Sequence, residues 1–124
     1  MTGSWKKRRR CRYVLFPCGN EIHRIDLYSV AYLEARNHNL EIRLQSGGCF
    51  KTRVTLTEIK ELFRELSGFV VVGASYIVNL HCVQRVLPTV LVMAGGETIP
   101  VPRRLRSEVR RQYFDFYAKE ATRQ

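Results

Sequence analysis

Through much of this chain apolar residues recur at every second position, the spacing of half-buried β-strands. The segment L-E-I-R-L shows it most cleanly, with Leu40, Ile42 and Leu44 on one face and Glu41 and Arg43 on the other. Before it, Y-V-L-F-P-C and N-E-I-H-R-I flank Gly19-Asn20, a turn signal that predicts a hairpin. Asp26 then opens D-L-Y-S-V as the cap of a short turn, and V-A-Y-L-E-A follows as a strand ending near Arg36-Asn37-His38-Asn39. Ser46-Gly47-Gly48 turns the chain into C-F-K-T-R-V, the return strand. Further along, F-V-V-V reads as a buried strand. H-C-V-Q-R-V-L and V-L-V-M-A read as two strands turning at Pro88-Thr89, and Gly95-Gly96 leads into E-T-I-P-V.

Two segments break the pattern with helical spacing. T-L-T-E is a capping box, with Thr55 as N-cap and Glu58 three residues on. Leu56, Ile59, Phe63 and Leu66 then form one apolar stripe, and Gly68 is placed to end the helix. The outer face mixes Glu58, Lys60, Glu61, Arg64 and Glu65, which suits core packing better than phosphate contact. A closing helix starts near Pro102, with Leu105, Val109, Tyr113 and Phe116 as its stripe and Arg103, Arg106 and Arg110 on another face. The expected fold is mainly β: short antiparallel sheets and hairpins, one central helix and a C-terminal helix.

Charge adds the functional clue. The 124 residues hold 21 Lys and Arg against 11 Asp and Glu, a formal net charge of +10. Such an excess opposes compaction and attracts polyanions, nucleic acid first. Six of the seven residues from Lys6 to Arg12 are basic, so residues 1–12 read as a tail or linker and 13–121 as one domain. Apolar runs such as Phe69–Val72 are too short to span a bilayer, and no signal-peptide pattern opens the chain. Cys11, Cys18, Cys49 and Cys82 have no zinc-type spacing, so they are expected as reduced, core-filling thiols in a cytoplasmic protein. No nucleophile motif or phosphate-cradling glycine loop is present, and His23, His38 and His81 are scattered. The expectation is a binding domain with neither active site nor cofactor.

The order of motifs after the central helix carries a resemblance. F-V-V-V leads to S-Y-I-V-N at residues 75–79, then an apolar strand pair, a Gly-Gly turn and I-P-V-P-R-R at 99–104. This resembles the LytTR family, whose pattern is an apolar strand, a polar loop, S-[YF]-[IVL]-V-N and a closing I-P-V-S-R before a helix. V-A-Y-L-E-A resembles the family's I-x-Y-I-E-A strand, and the match runs from about residue 13 to 117. The resemblance implies a β-rich output domain of bacterial response regulators. It binds promoter DNA through loops rather than a recognition helix, commonly on paired direct repeats, with a possible homodimer on DNA.

By position, the resemblance implies DNA contacts at His38 and at Arg103 in I-P-V-x-R, with Arg104 sharing that task. The loop before S-Y-I-V-N departs from the family, having Gly73 and Ala74 where His and a polar or basic residue are usual. Ser75 is a helix cap or a phosphate contact; Lys51, Arg53 and Arg85 are further phosphate candidates, each with a solvated surface role as its rival. Asn79 reads as structural, its side chain bonding nearby backbone. The alternatives to duplex DNA are a basic RNA-binding domain or a protein-interaction module. Against the former, Tyr28, Tyr32 and Phe50 look core-facing and no RNP-like motif is present.

Overall fold

The computed structural model describes residues 13–122, with side chains through Ala118. The basic stretch 6–12 and Cys11 lie outside the described residues. Ten strands and two helices follow one another. They are β1 (Tyr13–Cys18), β2 (Glu21–Asp26), β3 (Val30–Arg36), β4 (Asn39–Leu44), β5 (Cys49–Thr52), α1 (Leu56–Arg64), β6 (Phe69–Val72), β7 (Tyr76–Asn79), β8 (Val83–Val86), β9 (Val90–Met93), β10 (Thr98–Pro100) and α2 (Arg106–Thr122). Single 3-10 turns at Leu27–Ser29, Leu80–Cys82 and Arg103–Leu105 join neighbouring elements. Asp26 caps the first, its carboxylate accepting from the Tyr28 N–H at 3.0 Å.

The strands form three antiparallel sheets: the β1–β2 hairpin, a central sheet ordered β5-β4-β3-β7-β6, and a smaller one ordered β10-β9-β8. Alternation gives the central sheet two apolar faces. Leu33, Leu40, Ile42 and Ile77 join Phe16, Ile25, Ile59 and Phe63 in a core beneath α1 and the first hairpin. Tyr32, Val70, Val72 and Val78 join Leu91, Met93, Ile99 and Val109 in a second core under the smaller sheet and α2. The central sheet is thus a middle layer, buried on both faces over most of its width.

Four details depart from the sequence expectation. Helix α1 stops at Arg64, because Leu66 N–H closes a tight turn on Phe63 C=O at 3.1 Å; Leu62 takes the core place expected of Leu66, and Gly68 sits in the turn before β6. Glu41, on the expected solvent face of β4, is only 8% exposed, because the sheet neighbours of that face cover it. Cys49 is exposed rather than core-filling, since it begins the edge strand β5. Asn79 bonds backbone as expected, but across the sheet as well as locally: its amide donates to Val30 C=O at 3.0 Å, and its oxygen accepts from His81 N–H.

Candidate nucleic-acid interface

The register brings three loops to one end of the central sheet. Strands β3 and β4 pair from Arg36↔Asn39, leaving Asn37 and His38 as a two-residue hairpin loop. Both have positive φ, 46° and 66°, as a type I′ turn requires. Asn and His enter that backbone more readily than most side chains, but both still carry a cost there that glycine would not. Beside it runs the Gly73–Ser75 loop, tied by Ala35 N–H donating to Ser75 C=O at 2.8 Å. Gly73 has φ 66°, and a Cβ there would meet Pro102 at 3.4 Å, so this loop in turn abuts the start of the C-terminal helical segment. Val101 N–H donates to Thr89 C=O at 3.0 Å, adding the β8–β9 turn to the cluster. Arg53 follows Thr52, which pairs with Leu40 at the same end.

His38, Arg53, Ser75, Arg103 and Arg104 therefore share one region, and all five are exposed. Among the described residues neither Arg103 nor Arg104 has a side-chain partner. They occupy the 3-10 turn after Pro102, where a cation gains nothing from the local backbone dipole. Arg106 differs from them. Its Nε donates to Val101 C=O at 3.1 Å, so this guanidinium fastens the loop. Ser75 caps no helix, because strand β7 follows it directly. Sequence reasoning passed over Arg36, exposed at the last position of β3 beside the strained turn. Its signal was present in R-N-H-N, a cation abutting a two-residue turn.

Lys51 lies one rung in from this end, and Arg85 lies on the smaller sheet. Lys51 lies across from Glu41, Glu41 from Glu34, and Glu34 from Tyr76, one rung of side chains on one face. Two carboxylates directly opposed repel each other. Here Tyr76 donates its hydroxyl to Glu34 at 3.1 Å and Arg43 donates to Glu41 at 3.4 Å. Burial and then the Glu34 charge push the Tyr76 phenol above its ordinary pKa. Lys51 thus faces an acidic rung. Arg85 is exposed on β8 in the smaller sheet, paired with Val92. Of the three aromatics singled out in the sequence, Tyr32 is buried, and Tyr28 and Phe50 are half-buried against Phe69 and His23.

A family model described as the LytTr DNA-binding domain matches residues 20–113. The chain belongs to the LytTR DNA-binding domain family. It is thereby a DNA-binding domain of the kind that serves transcription regulators as an output unit. Among solved structures it is similar to a LytTr DNA-binding domain of a response regulator from Bacillus cereus. The TM-score is 0.71 and the identity 21%, over 82% of this chain and 96% of that one. At that identity the likeness shows the shared LytTR fold. No curated protein matches the chain. Among the described residues, no helix is long and apolar enough to cross a membrane.

Proposed function

We propose that this LytTR domain binds double-stranded DNA sequence-specifically, as the output domain of a cytoplasmic bacterial transcription regulator in a two-component system. The observation that carries the reading is the convergence of the Asn37–His38 turn, the Gly73–Ser75 loop and the unpaired Arg103-Arg104 pair at one end of a rigid sheet. Arg36, Arg53, Arg103 and Arg104 neutralise phosphates and release counterions, which supplies affinity. His38 and one of the two arginines at 103–104 read base edges in the groove, which supplies specificity. Lys51, facing Glu41, and Arg85, on the smaller sheet, add to the long-range field. The domain works by binding alone and needs no cofactor. Adjacent copies fit paired direct repeats in promoters, and dimerisation on DNA accompanies that arrangement.

Selection of bound duplexes from a random pool tests this directly. An enriched motif is expected, and Arg103→Ala should lose both affinity and preference at one position. Removal of residues 1–12 should weaken binding without abolishing the motif. A pool that yields no motif, or binding that vanishes with the tail alone, would overturn the proposal.

A further inference from the structure

Strand β2 leaves one of its edges without a partner. The first hairpin turns through Gly19 and Asn20, with φ 64° at Gly19, so Cys18 and Glu21 close it as a bonded pair. Bonding then alternates along the strands. Phe16 and His23 form the next bonded pair, while Ile22 and Arg24 turn their N–H and C=O out of the hairpin. Pro17, opposite Ile22, agrees with this: its C=O also points outward, toward β5, and accepts from the Thr52 hydroxyl at 2.7 Å. Among the described residues, no backbone group bonds Ile22 or Arg24 on the far side of β2. This edge has little of what keeps edge strands from pairing. β2 is six residues long, with no proline, lysine or register shift. Its charged groups are engaged within the hairpin: the Arg24 guanidinium lies 4.7 Å from the centre of the Tyr13 ring, and Glu21 is 2.9 Å from His23 Nε2. Ile22 is 70% exposed, the most exposed large aliphatic side chain described, with Leu15 next at 40%.

We infer that β2 pairs antiparallel with β2 of a second copy of this chain, about a two-fold axis beside Ile22. Opposed residues in such a pair share a face, so the axis falls on a residue of the strand. Centred on Arg24, two like charges stand opposed. Centred on His23, the Glu21 carboxylate of one copy faces the buried Ile25 of the other. Centred on Ile22, the two isoleucines face each other and exchange their free N–H and C=O groups. Each Glu21 then faces His23 of the other copy, a carboxylate against an imidazole that already binds one. This third register alone matches apolar with apolar and acceptor with donor. The pairing closes on itself, because each copy spends its one open β2 edge, and it yields a dimer rather than a filament. Copies on direct repeats are related by translation, so this two-fold contact is distinct from any contact between copies side by side on DNA. A seam of two short strands is small beside the roughly 800 Å² per partner of a standard interface, which sets a weak dimer, with Kd on the order of 100 µM.

Sedimentation equilibrium of the DNA-free chain, from about 10 µM to about 1 mM, tests the seam. The mass should rise from 14.5 kDa toward a dimer and no further. Ile22→Lys places a charge on the edge and should weaken the dimer at least about tenfold. The side chain is exposed, so the variant should melt with the native protein, and a thermal scan checks that. Ile22→Cys gives a second reading, in a Cys11→Ser, Cys49→Ser background that removes the tail thiol and the exposed one. A bonded antiparallel pair sets its Cα atoms about 5.5 Å apart, within disulfide reach, so mild oxidation should trap a covalent dimer. Arg24→Cys, two residues from the axis, should not be trapped. A chain that stays monomeric, a mass that climbs past the dimer, an Ile22→Lys variant that dimerises like the native protein, or equal trapping at both positions would each defeat the inference. No DNA is present, so none of these outcomes bears on the DNA-binding reading.

Discussion

Replacing His38 by glycine should make the domain more stable and a poorer DNA binder. His38 holds φ 66° at the second position of a two-residue turn, next to Asn37 at 46°. A non-glycine residue pays roughly 1–2 kcal/mol for the left-handed backbone. Glycine removes that cost but returns roughly 0.4–1 kcal/mol through the greater freedom of the unfolded chain. The net gain is about 0.5–1 kcal/mol, which for a domain of this size raises Tm by about 2–4 °C. His38 is exposed and has no partner among the described residues, so nothing in the fold offsets this gain. If its ring touches a base edge, its loss costs about 1–3 kcal/mol of binding, roughly a 5- to 150-fold rise in Kd. His38→Ala is the control: it loses the contact, keeps the left-handed cost, and should weaken binding equally without stabilising. Thermal melts and fluorescence anisotropy on the selected duplex supply both readouts. The reasoning fails if His38→Gly binds as tightly as the native domain, or if it melts no higher than His38→Ala.

Arg103→Ala should raise Kd by about 5- to 150-fold while leaving Tm within about 1–2 °C, because its guanidinium is exposed and unpaired within the described fold; a large fall in Tm would refute its assignment to DNA. With about four phosphate contacts, raising salt from 50 to 200 mM should weaken binding roughly 150-fold, and a log–log slope near zero in a salt titration would contradict the phosphate account. Thr55→Ala breaks the capping box, in which the Thr55 side chain accepts from Glu58 N–H at 3.2 Å and the Glu58 carboxylate accepts from Thr55 N–H at 2.7 Å. It should cost about 1 kcal/mol by urea melt with unchanged DNA affinity of the folded fraction. Tyr76→Phe leaves Glu34 opposed to Glu41 without the hydroxyl and should cost about 1 kcal/mol at neutral pH. The raised folded pKa of Tyr76 also fixes a sign. Its contribution is whole below the unfolded tyrosine value of about 10 and is lost as pH rises through the folded one, so alkaline stability should fall less steeply in Tyr76→Phe.

What belongs to short stretches of chain was legible in the sequence. Period-two alternation marked the strands, since a strand's two faces are written in consecutive residues. T-L-T-E marked the start of α1, because the capping box closes within four residues. S-Y-I-V-N and I-P-V-P-R-R, in order, marked the family. I-P-V-P-R-R also gave Arg103, and the loop after Y-L-E-A gave His38, as candidate contacts. Which strand lies beside which was not legible. β7 enters between β3 and β6, and only that order sets Ser75 against Ala35 and brings Gly73 under Pro102. Pairing of this kind is decided by how two separate cores fill the faces of one sheet, a sum over residues distant in the chain. The same collective packing buried Glu41, left Cys49 on an edge, and separated Arg106 from Arg103 and Arg104. Local pattern chose the elements and the charge to be displayed. Long-range closure chose which loops meet, and therefore which cations stand together at one end of the central sheet.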